Sequence, residues 1–219
     1  MMAKINGLFL FLLAFSFSKS FAQLANDGSY FWNTTSVTYQ PDEKTEFTLG
    51  NKDQYSNQIN HLEYYYFDFT GYRKVLTYLQ LGGGYRFSST FKSNTWNPSN
   101  NYLLYIVYLA QPGNMKIRCA TRLAYKTFRT GNDQYTIDNI SNIDFFVKSK
   151  CRFPKPYLMD EVFTEIKTKR FQNVRIYGGF HLLKMKYFGL DLYYCYWRSH
   201  SGDNWLIYNV MGINTKFRI

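Results

Sequence analysis

The chain has 219 residues, and its 26 Lys and Arg against 15 Asp and Glu give a formal net charge of +11. Hydrophobic residues make up 46% of the chain and aromatic residues 21%, which excludes intrinsic disorder. A multi-span helical membrane protein is excluded as well, because the long apolar run is confined to the N-terminus.

Residues 1–22 have the features of a secretory signal peptide. Lys4 supplies a positive charge, residues 8–17 are almost wholly apolar, and Ser20 and Ala22 are the small residues expected before a cleavage site. The apolar stretch is too short to cross ~30 Å of hydrocarbon, which argues against a membrane anchor. We therefore expect export, removal of residues 1–22, and a single domain over residues 23–219.

The mature chain reads as one strand after another. Apolar and polar residues alternate with period two, and no amphipathic helical pattern is present. Turn signals such as Gly71, Asn97-Pro98 and Pro112-Gly113-Asn114 separate the runs. Eleven strands are predicted, at residues 30–40, 44–50, 59–70, 74–88, 101–111, 114–129, 138–152, 157–168, 173–184, 187–199 and 204–218.

The clearest alternation lies at residues 115–126. One face carries Met115, Ile117 and Leu123, and the other carries basic side chains such as Arg118 and Arg122. The same pattern at residues 174–183 places Ile176 on an apolar face. We expect the apolar faces to contact lipid and the polar faces to line a lumen.

Length and closure together predict the fold class. Most of the predicted strands have 11 residues or more, whereas soluble strands typically have ~5–6 and membrane-crossing strands ~9–11. In lipid, only a closed barrel satisfies the backbone of every strand. We predict an all-β fold, a closed antiparallel transmembrane β-barrel of 10–12 strands. Even counts dominate among bacterial barrels, so eleven should resolve to ten or twelve, with the short segment 44–50 as the doubtful strand.

A polar network is predicted in the lumen of this barrel. Charges enclosed in a narrow interior need partners. Glu161 and Glu165 lie on one strand, and we expect them to form ion pairs with Arg122, Arg152 or Arg175 on others. The full predicted network consists of Arg86, Arg118, Arg122, Arg152, Glu161, Glu165 and Arg175.

The C-terminal segment is predicted to be the closing strand. Trp205, Phe217 and Ile219 share its outward face. The segment resembles the last strand of outer-membrane barrels, most of which end on an aromatic residue that the assembly machinery recognises. Here the aromatic residue is Phe217, two residues before the terminal Ile219. An ordinary closing strand with no targeting role is the alternative. Both interpretations require the strand to pair with the first one, near residues 30–40, because an unpaired edge in lipid is costly.

Catalytic and metal-binding motifs are not found in the sequence. It has no G-x-S-x-G, P-loop, G-x-G-x-x-G or H-E-x-x-H pattern. His61, His181 and His200 are better explained as structural residues, although His200 lies in a predicted polar loop with Ser199, Ser201 and Asp203. Cys119, Cys151 and Cys195 form no metal-binding pattern, and whether two of them pair stays open. We expect no catalytic residue, metal or cofactor.

Several motifs carry a family resemblance. They are the early segment Phe31-Trp32-Asn33-Thr34, the glycine-rich segment at residues 81–87, the spacing of Arg118 and Arg122, and the segments at residues 156–163 and 171–179. Together they resemble the domain of unknown function 2490 family, predicted outer-membrane β-barrels of Gram-negative bacteria. That family has no established activity, so the resemblance implies a fold and a location but no catalytic residues.

The sequence therefore predicts an exported, non-enzymatic outer-membrane β-barrel that is structural or forms a narrow pore for small solutes. The alternatives are an outer-membrane lipid-modifying enzyme and a soluble periplasmic barrel that binds an apolar ligand. The expected partners are outer-membrane lipids, lipopolysaccharide and the assembly machinery. We expect the protein to be a monomer. We expect no nucleic-acid binding, because the basic residues are spread along the strands and the chain is predicted to be exported.

Overall fold

The computed structural model describes residues 28–56, 61–129, 131–146, 154–201 and 204–219. The predicted signal peptide lies outside these residues. The described chain is all β, and its eleven strands are β1 (Ser29–Tyr39), β2 (Thr45–Ser56), β3 (His61–Leu76), β4 (Leu79–Lys92), β5 (Thr95–Ala110), β6 (Met115–Phe128), β7 (Gln134–Phe145), β8 (Lys155–Glu165), β9 (Arg170–Lys184), β10 (Phe188–Ser201) and β11 (Asn204–Arg218).

The strands form one closed barrel in chain order, as predicted. Each consecutive pair of strands is antiparallel, whereas β1 and β11 close the barrel as a parallel pair. The expectation that eleven strands would resolve to ten or twelve was wrong. The first and last strands of an odd-numbered meander run in the same direction, and parallel hydrogen bonding joins them here.

The segment that was doubtful in the sequence is a full strand. The predicted strand 44–50 extends as β2 to Ser56 and pairs along its length with both β1 and β3. The extension matters for the interior, because it includes Lys52, which the shorter prediction left out.

Two predicted turns were wrong. Gly71 lies inside β3, and the Asn97-Pro98 pair lies inside β5. The chain instead turns between β4 and β5 at Ser93 and Asn94, whose φ angles are 52° and 60°. Two successive positive φ values are typical of the tight hairpin turn whose twist matches that of its strands.

The turn between β1 and β2 is held by a carboxylate. Asp42 accepts hydrogen bonds from the backbone N–H groups of Lys44 and Thr45, both at 2.7 Å. These bonds, that from Lys44 first, favour the charged form and lower the pKa of the Asp42 carboxyl group.

Alternate residues along each strand point into the barrel and away from it. On β5, Leu104 and Ile106 are 63% and 58% exposed, while Leu103, Tyr105 and Val107 are buried. On β9, Ile176 is exposed and Tyr177 is buried. The outer surface is therefore largely apolar, and the core of the molecule lies inside the barrel.

Inward tyrosine rings cover glycines on neighbouring strands. Tyr193 lies directly opposite Gly212, Tyr157 lies opposite Gly179, and Tyr72 lies opposite Gly82. In each pair the ring occupies the space that a β-carbon on the glycine would need. Glycine thus makes room for large aromatic side chains in a narrow interior.

Gly84→Ala should destabilise the barrel, whereas Gly83→Ala should not. A β-carbon at Gly84 would lie 2.7 Å from the backbone oxygen of Phe69, while at Gly83 its nearest neighbour would be 3.6 Å away. Overpacking of this kind lowers the free energy of unfolding by about 1–3 kcal/mol. Urea titration of the folded variants, followed by tryptophan fluorescence, measures the difference. An equal loss in both variants would contradict the packing explanation.

No helix in the described part of the chain is long and apolar enough to span a membrane.

Candidate functional site in the barrel interior

The described residues line three adjoining cavities in the barrel interior. The N-end cavity has a volume of about 420 Å³ and lies where β1 begins, next to Tyr30 and Glu63. The middle cavity has a volume of about 210 Å³ and is lined by Tyr157 and His181. The C-end cavity, of about 750 Å³, lies where β11 ends, at Arg218.

Shared side chains connect these cavities. Lys52, Tyr66 and Glu161 line both the N-end and the middle cavity. Lys216 lines both the middle and the C-end cavity. The three cavities therefore follow one another along the interior, separated by these few side chains.

Cationic side chains outnumber acidic ones in both end cavities. Five cations face three acids in the N-end cavity, namely Lys52, Arg86, Arg122, Lys126 and Arg175 against Glu63, Asp138 and Glu161. Six cations face two acids in the C-end cavity, namely Lys44, Lys74, Lys116, Arg118, Lys216 and Arg218 against Glu43 and Glu46. Such a lining raises the local concentration of anions.

Three arginines of the interior are each paired with a carboxylate on the neighbouring strand. The nitrogen–oxygen distances are 2.7 Å for Arg86 and Asp68, 2.8 Å for Arg122 and Asp138, and 3.2 Å for Arg175 and Glu161. In every pair the two residues lie directly opposite each other in the sheet. Cross-strand register thus positions these charges, and each pair is neutral as a unit.

The Arg175–Glu161 pair is embedded in aromatic rings. The Arg175 guanidinium lies 4.7 Å from the Phe163 ring and 5.0 Å from each of the Trp32 and Trp197 rings. Tyr177 donates a hydrogen bond of 2.8 Å to the same oxygen of Glu161 that Arg175 contacts. Planar guanidinium groups stack well on such rings, so this cluster fixes the position of the charge.

Lys52 lies beside this cluster and is buried, with 8% of its surface exposed. Its Nζ atom lies 3.5 Å from the centre of the Trp32 ring. Lys52 makes no ion pair with any carboxylate in the described part of the chain.

A second charged cluster surrounds His181 in the middle cavity. His181 lies 2.7 Å from Asp191 through Nδ1 and 3.2 Å from Asp144 through Nε2. Lys216 Nζ lies 2.5 Å from the other oxygen of Asp191. The Tyr157 ring stacks on the imidazole, with ring centroids 4.8 Å apart. These contacts link β7, β9, β10 and β11 across the interior.

The structure brings together only part of the predicted network. Arg175 pairs with Glu161, but Arg122 and Arg86 pair with carboxylates that were not predicted. Glu165 forms no ion pair with a described arginine and instead accepts hydrogen bonds from Thr168 and Gln172, at 2.8 and 3.1 Å. It lies at the end of β8, beyond a register shift at Phe163 and Thr164, and so bonds locally.

Arg118, another member of the predicted network, lies apart from these pairs. Arg118 lines the C-end cavity, where its guanidinium lies 5.4 Å from the Tyr72 ring. Arg152 and Cys151 lie outside the described residues. Cys119 and Cys195 are free thiols.

The predicted C-terminal residues Trp205, Phe217 and Ile219 are all exposed. Ile219 follows the last residue of β11 and also lines the C-end cavity. β11 pairs with β1 from Asn209 to Arg218, and the N–H of Ile219 donates a 3.0 Å hydrogen bond to the backbone oxygen of Thr38. The last strand therefore closes the barrel on the first.

Sequence reasoning missed Asp68, Asp138 and Lys52. Asp68 lies in a segment that is aromatic on both faces, so no alternation marked it as inward. Asp138 was the first residue of the predicted strand 138–152, and Lys52 lay two residues beyond the predicted strand 44–50. Neither residue therefore had alternating neighbours on both sides that would indicate its face. The positions of Asp68 and Asp138 could have been predicted from the number of residues between each of them and the nearest turn. Counting residues back from each turn places Asp68 opposite Arg86 and Asp138 opposite Arg122.

His200 has different surroundings from those predicted. His200 lies within β10, not in a loop, and its ring packs edge-on against Trp205 at 5.1 Å. It makes no hydrogen bond to a serine or carboxylate among the residues that the structure describes. Within the same residues, no three His, Cys, Asp or Glu side chains are grouped as metal ligands would be.

Comparison with known proteins gives one family. The family model described as "Protein of unknown function (DUF2490)" matches residues 29–207, from the first residue of β1 into β11. No curated protein matches the chain. The matched residues cover well over half of the sequence, and the chain belongs to the DUF2490 family.

Proposed function

We propose that this chain is an exported outer-membrane β-barrel and that its lumen is a narrow passage for small anions. The observation that carries the proposal is the combination of an apolar outer face with a row of cavities inside, of which the two end cavities are rich in cations. The proposal involves no enzymatic step, and the charged side chains serve to line the passage and to hold the barrel together.

The outer surface supports the membrane location. Exposed aliphatic side chains such as Leu104, Ile106 and Ile176 would be costly in water over so large an area. Strands of 11 to 16 residues are long enough to cross a bilayer when tilted. In the closed barrel every strand pairs with two neighbours, which lipid requires and which favours a monomer.

A row of tyrosines on the outer face fits a membrane interface. Tyr85, Tyr102, Tyr125 and Tyr135 lie opposite one another on β4 to β7, with ring centroids 5.7, 6.1 and 4.6 Å apart. The Tyr85 hydroxyl donates to Asn100 and the Tyr125 hydroxyl to Asp133, both at 2.6 Å. Tyrosine prefers the boundary between apolar chains and polar headgroups, where lipids and lipopolysaccharide would be its partners.

The interior supports a passage and not a wholly filled core. Side chains fill the interior of the smallest barrels, whereas here cavities adjoin from one end of the barrel to the other. The excess of cations in both end cavities favours anions over cations of the same size. The ion pairs and tyrosines between the cavities keep the passage narrow.

Planar-bilayer recording tests the passage. The purified, folded full-length protein should give small conductance steps, and its reversal potential in a KCl gradient should show a preference for chloride over potassium. The boiled, unfolded protein is the control. Preference for potassium, or no conductance from protein that has inserted, would overturn the passage. Recovery of the protein in the soluble periplasmic fraction would overturn the membrane location.

A further inference from the structure

Lys52 occupies a distinctive position in the interior. It lines both the N-end and the middle cavity, so its side chain lies where one leads into the other. It is more than nine-tenths buried. Any solute that moves between these two cavities passes this ammonium group.

The charges around Lys52 do not balance. Arg86, Arg122 and Arg175 each have a carboxylate partner at 3.2 Å or less, whereas Lys52 has none among the described residues. Glu161 also lies within electrostatic reach of Lys52, but its carboxylate is already engaged by Arg175 and Tyr177. The cluster of Lys52, Arg175 and Glu161 therefore contains two basic side chains and one carboxylate.

Arg175, which lines the N-end cavity together with Lys52, has a hydrogen-bond donor without an acceptor. Its Nε atom is buried and makes no hydrogen bond to a described residue. The Lys52 ammonium and the Arg175 guanidinium lie 3.5 Å and 5.0 Å from the centre of the same Trp32 ring. A buried cation without a partner is costly, and an anion that accepts hydrogen bonds would offset this cost.

We propose that Lys52 binds the carboxylate or phosphate group of a small solute at the boundary of the N-end and middle cavities. This inference rests on the proposed passage and names the chemistry of what enters it. Tyr66 and Phe163 line the N-end cavity beside the charges and provide apolar contact for the rest of the solute. The cavity volume of about 420 Å³ is within the range of small-molecule sites.

Equilibrium dialysis of the full-length protein, folded in detergent micelles, tests the site without any need for conduction. Gluconate is the carboxylate probe, and inorganic phosphate is the second. Lys52→Met, which keeps the length of the side chain but not its charge, should weaken binding of the bound probe by roughly tenfold or more. Lys52→Arg should retain binding, because it retains the cation.

Lys186→Met is the matched control, because it removes one positive charge outside the cavities. Lys186 is exposed between β9 and β10, and its ammonium lies 4.8 Å from the Tyr187 ring. We expect the Lys186→Met variant to bind the probe within about twofold of the unsubstituted protein. The change in gel mobility on boiling checks that each variant is folded.

Each outcome of this experiment decides the inference. The site is supported if the unsubstituted protein binds one of the two probes and the Lys52→Met variant does not. The probe that binds then identifies the anionic group as a carboxylate or a phosphate. If the protein binds neither gluconate nor phosphate, the anion site is overturned. The proposed chloride preference is then still tested separately by the bilayer recording. Equal weakening by Lys52→Met and Lys186→Met also overturns the anion site, because the effect would then follow from total charge.

Discussion

Removal of residues 215–219 should prevent formation of the closed barrel. These residues pair with β1 at Thr35–Thr38 and with β10 at Phe188–Leu190. The backbone N–H of Arg218 also bonds to the oxygen of Tyr187 at 3.0 Å. Without these residues, one end of β1 and one end of β10 lose their pairing with β11. Each backbone group that is exposed in this way costs several kcal/mol in lipid. The truncated protein should be degraded or should aggregate.

The change in gel mobility on boiling measures this result, because a folded barrel migrates differently from the unfolded chain. Deletion of Ile219 alone is the control, since it leaves all of β11 in place. Refolding into detergent in the absence of the assembly machinery separates closure from recognition. A truncation that still shows normal heat-modifiable insertion would contradict the closing-strand assignment.

Asp138→Asn should be the most destabilising single substitution among the ion pairs. Asp138 is 1% exposed and contacts Arg122 at 2.8 Å. The substitution leaves the buried Arg122 guanidinium without a counter-charge. We expect the free energy of unfolding to fall by about 3–5 kcal/mol, because breaking a buried pair strands one charge in a poorly solvated interior. Folding of the protein into lipid vesicles at increasing urea concentration, monitored by tryptophan fluorescence, measures the loss of unfolding free energy.

Two controls separate this effect from a general loss of charge. The double variant Asp138→Asn/Arg122→Met removes both partners and should regain much of the stability. Asp133→Asn alters an exposed acid that accepts a hydrogen bond from Tyr125, and it should cost about 1 kcal/mol or less. A loss from Asp138→Asn no larger than that from Asp133→Asn would show that Arg122 does not depend on its partner.

Alternation along single strands was predictable because side chains of a strand point to opposite faces in turn. Residues 115–126 show this directly, since Leu123 is exposed while Arg122 and Ala124 are buried as their pattern predicts. The same property placed Glu161 and Arg175 in the interior. The pairing of residues on neighbouring strands was harder to predict, because the register of a hairpin depends on where its turn lies. The turn predicted at Asn97-Pro98 was wrong, and the actual turn at Ser93 and Asn94 was therefore not predicted.

A barrel with an apolar outside and a basic inside could be predicted from residue order, since period-two alternation, strand length and the lack of a helical pattern are local properties. The strand number, the parallel pairing of β1 with β11 and the partner of each charge became visible only in the folded barrel. Those features depend on which strands become neighbours and in which register. Lys52 shows the difference, because its lack of a carboxylate partner among the described residues is visible only once the surrounding strands are in place.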